Sequence, residues 1–494
     1  MFLKKINKSN IYIFILGYMY LPILIFLLGW TSLFISLPVI CFTIIAFFFV
    51  IRKTRNENND DSCSNFREIL FVFVTFFLFF IFTGHSDLFA QDFDWHKHHA
   101  IFNDLMNYDW PVVYDDGSLL TYYLGQYIVP SFFGKLFHSS LIMTWSIPVW
   151  NAIGLTLVYS VLAFLLKAES IKKKICIVLF MLLWGGCIGL GTIAYHLINS
   201  GKIKLLPDSF KWIDLENIKI HFASNFDALY GAFQHVIVPW LATCFFLGNR
   251  KHIESYVMIA LPLLFSATFA FMYFVPILVF FAVRYSINKP IKESLKSVFG
   301  IGNVFMIPLA IVLAVYFWGN VFSNKPSVVG FEIFNITEHF LFYIIFVLSE
   351  FLLYSVFLLK RNLKNPLFYV VLIELLIIPF FKMGLFNDLC SRGSIPARFI
   401  LMFLCIEYYF SKPKKEWQYW GLTLMLAFSV FITGGQITYN FARTIQNRHE
   451  KTFLADKYKT LEGFSGNPDV RIDEAYNYFT PDYEHSLFYY IAKK

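Results

Sequence analysis

The chain has 494 residues, 57% of them hydrophobic and 20% aromatic, and only 15% charged. Soluble domains average about 25% charged residues, and a water-soluble fold cannot hide this much apolar surface, so the composition excludes a soluble globular protein. The formal net charge of +8 does not point to nucleic acid, because the basic residues stand in short clusters between apolar runs, which is a membrane-topology pattern.

At the N-terminus, Lys4, Lys5 and Lys8 precede the apolar run 11–30. That run is long enough to span a bilayer and no small-residue cleavage site follows it, so it reads as an uncleaved first helix rather than a signal peptide. Further runs of spanning character follow at 32–51, 68–84, 142–166, 175–195, 235–249, 255–283, 297–319, 338–359, 366–384, 397–410 and 417–435. Backbone polar groups in lipid must be satisfied within the segment, so these runs are expected to be helices. Basic clusters fall at 52–55, 172–174, 250–251, 284–296, 360–361 and 412–415. With the N-terminus in the cytoplasm, all of them lie inside only if 255–283 crosses twice, as a hairpin of short helices turning near Ala270. The fold class expected is an all-α polytopic membrane protein with about thirteen transmembrane helices (range 11–14) and short interfacial helices in the first large external loop. The organisation is an N-terminal transmembrane hairpin and cytoplasmic loop (1–67), a membrane core (68–435) and an external C-terminal tail (436–494), in a multi-pass cell membrane protein. Seven cysteines lie mostly inside apolar runs with no CxxC, which predicts neither a disulfide framework nor structural zinc.

Three external loops are large enough for chemistry: 85–141, 196–234 and 385–396. The first opens with a segment, 85–104, that holds His85, His96, His98 and His99 together with Asp87, Asp92, Asp94 and Asp104. Apolar residues Trp95, Ile101, Phe102, Leu105 and Met106 recur at helical spacing, so a short amphipathic helix at the membrane surface is expected over 95–107. A turn at 115–118 leads to a second interfacial or re-entrant helix over 119–137, with Tyr122, Tyr123, Tyr127 and Lys135. Asp92 or Asp94 either caps the helix at Trp95 or is a general base; Asp104 is a further acidic candidate or a solvated helix residue. His96, His98 and His99 are possible ligands of a divalent metal ion, since Asp94 and His98 share a helical face, or are simply solvated. The cofactor is otherwise unknown.

In the second loop stand Asp208, Asp214, Glu216, His221 and Asp227, then Gln234 and His235 at the entry to a helix. His235 is either a substrate hydrogen-bonding group or a packed polar residue. The third holds Asn387, Asp388, Arg392, Ser394, Pro396 and Arg398 at a helix start. Helix N-termini attract anions and arginine grips phosphate through a fork of donors, so Arg392 and Arg398 are candidate phosphate-binding groups. The alternatives are that Arg392 pairs with Asp388 and that Arg398 snorkels to lipid headgroups.

With many helices, the acidic motif Asp92-Phe93-Asp94 in the first large external loop and interfacial stretches after it, the chain resembles the GT-C superfamily of membrane glycosyltransferases. That family's acidic loop usually follows its first helix; here it follows the third, which makes the first two an added hairpin. The resemblance implies a polyprenyl-phosphate sugar donor, a glycan or lipid acceptor in the cell envelope, inversion at the anomeric carbon, and membrane lipid rather than nucleic acid as partner. It implies Asp94 or Asp92 as the base, Arg392 on the donor phosphate, and Trp95, Trp110, Tyr122 and Tyr123 around the sugar and lipid. A polysaccharide repeat-unit polymerase would use the same parts. The rival class is a transporter or flippase of lipid-linked intermediates, for which Glu350 and Glu374 within apolar runs are the main candidates.

Overall fold

The computed structural model describes residues 6–56, 62–92, 94–202, 213–215, 218–287, 289–321, 331–333, 335, 339–383, 387–411, 416–446, 460–465 and 478–493. It is almost entirely helical, and strand pairing among the described residues is confined to two-stranded ribbons. Among them, six helices are long and apolar enough to cross a membrane, and up to nine segments if each of three bent helix pairs counts as one crossing. The protein is therefore multi-pass. The thirteen crossings expected from the sequence exceed this number in part because two apolar runs, Ile253–Ser266 and Pro366–Phe380, form helices of 10–17 residues, short of the ~20 a full crossing takes.

The chain opens with an antiparallel pair, α1 (Lys8–Trp30) and α2 (Leu33–Asn56), followed by α3 (Phe66–Phe82). The first loop forms α4 (Trp95–Asn107) and α5 (Ile128–Leu136), and α6 (Ser140–Leu165) returns through the bundle. The run expected as one helix over 175–195 is broken into α7 (Ile171–Leu183) and α8 (Ile188–Ser200), bent by 46°. Gly185 and Gly186 lie in the break, where Ser429 Oγ accepts the Gly185 N–H at 2.8 Å in place of a helical carbonyl. Next come α9 (Asn225–Gly231) and α10 (Ile237–Asn249), bent by 115° about the short turn Phe233–His235.

The ambiguous run 255–283 is two helices, α11 (Tyr256–Ser266) and α12 (Thr268–Ser286). The ring of Phe246 meets Tyr256 at the start of α11 and Phe281 near the end of α12, so the pair is an antiparallel hairpin. Its break is at Ala267 rather than Ala270. The rest runs through α13 (Ile291–Val298), α14 (Ile301–Val304), α15 (Ile307–Val321), α16 (Phe340–Val347), a π-helical turn at Leu348–Leu352, α17 (Leu353–Asn362), α18 (Pro366–Ile377), α19 (Asp388–Gly393), α20 (Ile395–Phe410), α21 (Trp417–Gln446) and α22 (Leu461–Ser465). Helix α21 outruns the expected end at 435, and Asn440 explains part of the extension by accepting from Tyr230 Oη at 2.9 Å.

Helix α6 is the centre of the bundle: 78% of its most apolar stretch is buried, against 28% for α12 and for α21, whose apolar faces look outward. Gly154 on α6 makes the close packing possible, since a Cβ there would lie 2.4 Å from Ile237 and 2.8 Å from the Tyr18 hydroxyl. Small residues at helix contacts are the usual device for close approach within a membrane. Across the same contact the rings of Tyr18 and Trp150 stack at 3.9 Å.

The C-terminal segment folds back on the first loop. Strand Phe479–Thr480 pairs antiparallel with Leu119–Leu120, Tyr483 N–H donates to Gly117 O, and Ala492 bridges to Thr31 at the α1–α2 turn. Gly319, late in α15, packs on Thr480. The α1–α2 turn, the first loop, the end of α15 and the C-terminal segment thus share one face of the bundle. Toward the other lie three ion pairs made by residues of the basic clusters, Lys53 with Glu254, Lys174 with Glu68, and Arg361 with Glu416.

Candidate functional site

Helix α4 begins where the sequence predicts, but Asp94 does not cap it. Its side chain makes no capping bond, and Asp94 Oδ1 instead pairs with Lys97 Nζ at 2.8 Å, one helical turn on. Nor does α4 lie at a surface: ten of its thirteen residues are buried. The second expected interfacial helix, over 119–137, is a two-residue strand, a 3₁₀ turn at Leu124–Gln126 and then α5.

A second ion pair stands close to the first. On the short helix α19, capped by the Asn387 side chain, Arg392 Nη2 lies 3.2 Å from Asp388 Oδ1. Its Nη1 donates to His235 Nε2 at 3.2 Å. The two pairs act on each other: Arg392 joins Lys97 in lowering the Asp94 carboxyl, which burial alone would raise, and the net result is about 2. Burial also works against the Lys97 and Arg392 charges, yet the neighbouring acids hold both cations above their ordinary values. The acids stand outermost, Asp94 33% and Asp388 31% exposed, with Lys97 at 11% and Arg392 at 14% behind them. The site is two cations each neutralised by one acid, arranged so that an incoming anion competes with the acids.

Tyrosines wall this site. Tyr122 and Tyr123 stand with ring centroids 4.4 Å apart; Tyr123 packs edge-on against His235 at 5.0 Å and Tyr122 meets Tyr478 of the C-terminal segment at 4.8 Å. Burial pushes the Tyr123 hydroxyl up to about 12, against the pull of Arg392. The Tyr122 hydroxyl is also raised by burial, while Lys97 and Arg392 draw it down. Gln234 and His235 are both fully buried, and neither the Gln234 amide nor His235 Nδ1 has a hydrogen-bond partner among the described residues. Buried polar groups are normally satisfied, so these two side chains stand out as unpaired next to the ion pairs.

His98 is structural by its bonding. Its Nε2 faces the carbonyl of Gly231 at 3.0 Å, which can only accept, so Nε2 carries the hydrogen and Nδ1 accepts from Tyr127 Oη at 2.7 Å. Burial, with Lys97 beside it, brings its pKa down to about 3. Both nitrogens are committed, so His98 has no lone pair for a metal. His99 Nε2 turns to Gln91 Oε1 at 3.1 Å and Asp87 Oδ1 at 3.2 Å, and His96 is buried on α4. Among the described residues no group of three or more His, Cys, Asp or Glu is placed to hold a metal ion.

The other expected site residues are dispersed. Trp95 is fully buried; its Nε1 donates to Tyr230 O at 3.2 Å and its ring packs among His85, His98, His99 and Phe233, so it supports the site from behind. Asp92 packs against Gly231, where a Cβ would meet its Oδ2 at 2.7 Å. Asp104 belongs to a separate cluster, accepting from Tyr114 Oη at 2.7 Å and from Leu461 N–H at 3.0 Å. Lys135 Nζ donates to Tyr108 O at 2.7 Å and lies 5.9 Å over the Trp110 ring, tying down the chain that leaves α4. Arg398 is buried, bonded to Ala223 O, with the rings of Trp184 and Phe222 on its guanidinium face, so it neither joins Arg392 nor reaches a headgroup. Asp208 and Glu216 lie outside the described residues.

Lys97 is the member that sequence reasoning missed. The i,i+3 spacing of Asp94 and Lys97 is a pairing signal on a helix, though it sits inside a run of histidines that draws attention to metal. Comparison with known protein families, with curated proteins and with solved structures finds no match to this chain.

Proposed function

We propose that the chain is a membrane glycosyltransferase that moves a sugar from a polyprenyl-phosphate donor to a glycan or lipid acceptor at the external face. The observation that carries this reading is the convergence of Asp94, Lys97, His235 and Arg392, from three separate loops, into one tyrosine-walled site, away from the ion-paired basic residues Lys53, Lys174 and Arg361. Basic residues favour the cytoplasmic side, which puts that site and the C-terminal segment outside and the N-terminus inside. The thirteen-crossing topology belongs to the same reading, with the short helices crossing where the bilayer thins around them.

In the reaction the acceptor hydroxyl oxygen attacks the anomeric carbon, the bond from that carbon to the phosphate oxygen breaks, and the phosphate leaves with the electron pair. Asp94, ionised in the resting protein, takes the hydroxyl proton. Arg392 and Lys97 neutralise the charge that grows on the leaving phosphate. Donor binding also serves the base: as the phosphate engages Lys97 and Arg392, less positive charge is left to hold the Asp94 carboxyl down, and its basicity rises. The test is sugar release from a panel of polyprenyl-phosphate sugars by purified wild type and by Asp94→Asn and Asp92→Asn. Release that survives Asp94→Asn moves the base elsewhere.

One observation favours transport of a lipid-linked intermediate instead. Glu350 is buried in the π-helical turn against Gly186, at the break between α7 and α8, and neither carboxyl oxygen has a hydrogen-bond partner among the described residues. Intramembrane acids and broken helices are features of transport pathways. Movement of a fluorescent polyprenyl-phosphate lipid across proteoliposomes, abolished in Glu350→Gln, would decide for this second reading.

A further inference from the structure

At the face opposite the candidate site, the free ends of α1 and α2 enclose a groove of about 520 Å³ lined by Ile13, Phe47, Phe48, Ile51, Arg52 and Arg55. From Phe47 to Arg55 along α2 is about 12 Å at 1.5 Å per residue, close to the ~15 Å depth of one leaflet's hydrocarbon. The lining divides along that length. Ile13, Phe47, Phe48 and Ile51 form the deep part, with Phe48 67% exposed. Arg52 and Arg55, one turn apart, close the end where the membrane-spanning part of α2 stops.

The three cations here are not equivalent. Lys53 turns inward to the buried Glu254 carboxylate. Arg52 and Arg55 point to the groove and make no ion pair or hydrogen bond among the described residues. Two unpaired guanidinium groups above an apolar slot match one kind of molecule, with an anionic phosphate head and a hydrocarbon tail. A free phosphate would leave the phenylalanines uncovered, and an apolar helix would bury two unpaired charges.

We propose that this groove is a binding site for an anionic phospholipid of the surrounding leaflet, its phosphate held by Arg52 and Arg55 and one acyl chain lying along Phe47, Phe48 and Ile51. The site is distinct from the Asp94–Arg392 cluster and stands whether or not the glycosyltransferase reading does.

The test is native mass spectrometry of the full chain in mild detergent, titrated with dioleoyl phosphatidylglycerol or dioleoyl phosphatidylcholine. Wild type is expected to retain one phosphatidylglycerol with about thirtyfold preference over phosphatidylcholine, the scale of two basic groups acting on an anionic headgroup. Arg52→Gln/Arg55→Gln brings that ratio close to one. Lys172→Gln/Lys173→Gln, which removes equal charge from the same face, leaves it intact, and Phe48→Gln weakens retention with both arginines present. Equal retention of the two lipids by wild type overturns the proposal. So does an unchanged preference in the arginine variant, equal loss in the lysine variant, or displacement of the lipid by millimolar inorganic phosphate.

Discussion

Arg392 and His235 stand 157 residues apart in the chain and meet through a 3.2 Å bond that fixes the imidazole. A guanidinium only donates, so His235 Nε2 is the acceptor and the ring's hydrogen sits on Nδ1. That N–H is buried with no acceptor among the described residues. The arginine thereby sets the imidazole tautomer and leaves a buried N–H donor unpaired beside the ion pair.

Arg392→Lys is therefore expected to do more harm than a retained charge suggests, because it removes both the fork to Asp388 and the bond that sets His235. On the proposed transferase reading, donor KM should rise about tenfold or more, and Arg392→Ala should cost about thirtyfold or more, the usual range when one partner of a buried charge pair is removed. Steady-state kinetics with donor varied tests this; an unaltered KM in Arg392→Lys would remove the arginine from the binding site.

On the proposed transferase reading, Asp94→Asn separates chemistry from binding. Loss of a general base lowers kcat by about 10²–10⁴, while loss of the anion beside Lys97 and Arg392 leaves donor affinity equal or better. Equal losses in kcat and donor affinity would make Asp94 a structural residue. The pH profile adds a sign. With Asp94 at about 2 in the free protein, kcat/KM should show no acid limb from this group between about pH 5 and pH 7, since kcat/KM reports free-enzyme groups. The limb in kcat should lie at higher pH than the one in kcat/KM, because the bound phosphate draws off the cations.

Asp104 gives a stability prediction with the opposite slope. Burial raises its carboxyl to about 7, against the bonds from Tyr114 and Leu461. The folded state thus holds the proton more tightly than the unfolded chain does, so this stabilisation is full below the ordinary carboxylate range and is lost as pH rises through about 7. Thermal denaturation in detergent should show Tm falling over that window, with limited proteolysis opening the segment around Leu461 first. Asp104→Asn, which cannot ionise, should flatten the dependence; a wild-type slope in that variant would assign it elsewhere.

The bonding of His98 predicts independence from metal. His98→Ala leaves the Gly231 carbonyl and the Tyr127 hydroxyl without partners, and should cost about 1–3 kcal/mol per buried group left unpaired. EDTA should leave wild-type activity and Tm unchanged. A chelator-sensitive Tm would mean that the histidines rearrange around an ion.

Much of the architecture is legible in the sequence because hydropathy and charge act on long segments. The start and end of α4 match the expected helix over 95–107, and the basic clusters require the α11–α12 hairpin. Local pattern fails where the deciding partner is remote. Nothing near Trp184 announces that Ser429 will bond to Gly185 and so permit the break between α7 and α8. Leu119–Leu120 sits in a helical pattern but becomes a strand because Phe479–Thr480 arrives to pair with it. The candidate site shows the same division. Asp94, His235 and Arg392 stand out by residue type, whereas Lys97 gains its place through tertiary packing that brings Arg392 alongside. Trp95 and Arg398, equally conspicuous in sequence, are spent on packing.

The strand pairing of Leu119–Leu120 with Phe479–Thr480, and the contact of Tyr122 with Tyr478, also bear on the order of assembly. Synthesis proceeds from the N-terminus, so the loop that carries Tyr122 is made hundreds of residues before the strand that braces it. The bundle can insert and pack while the site still lacks one wall. The site as proposed is therefore complete only after the last residues of the chain have been made.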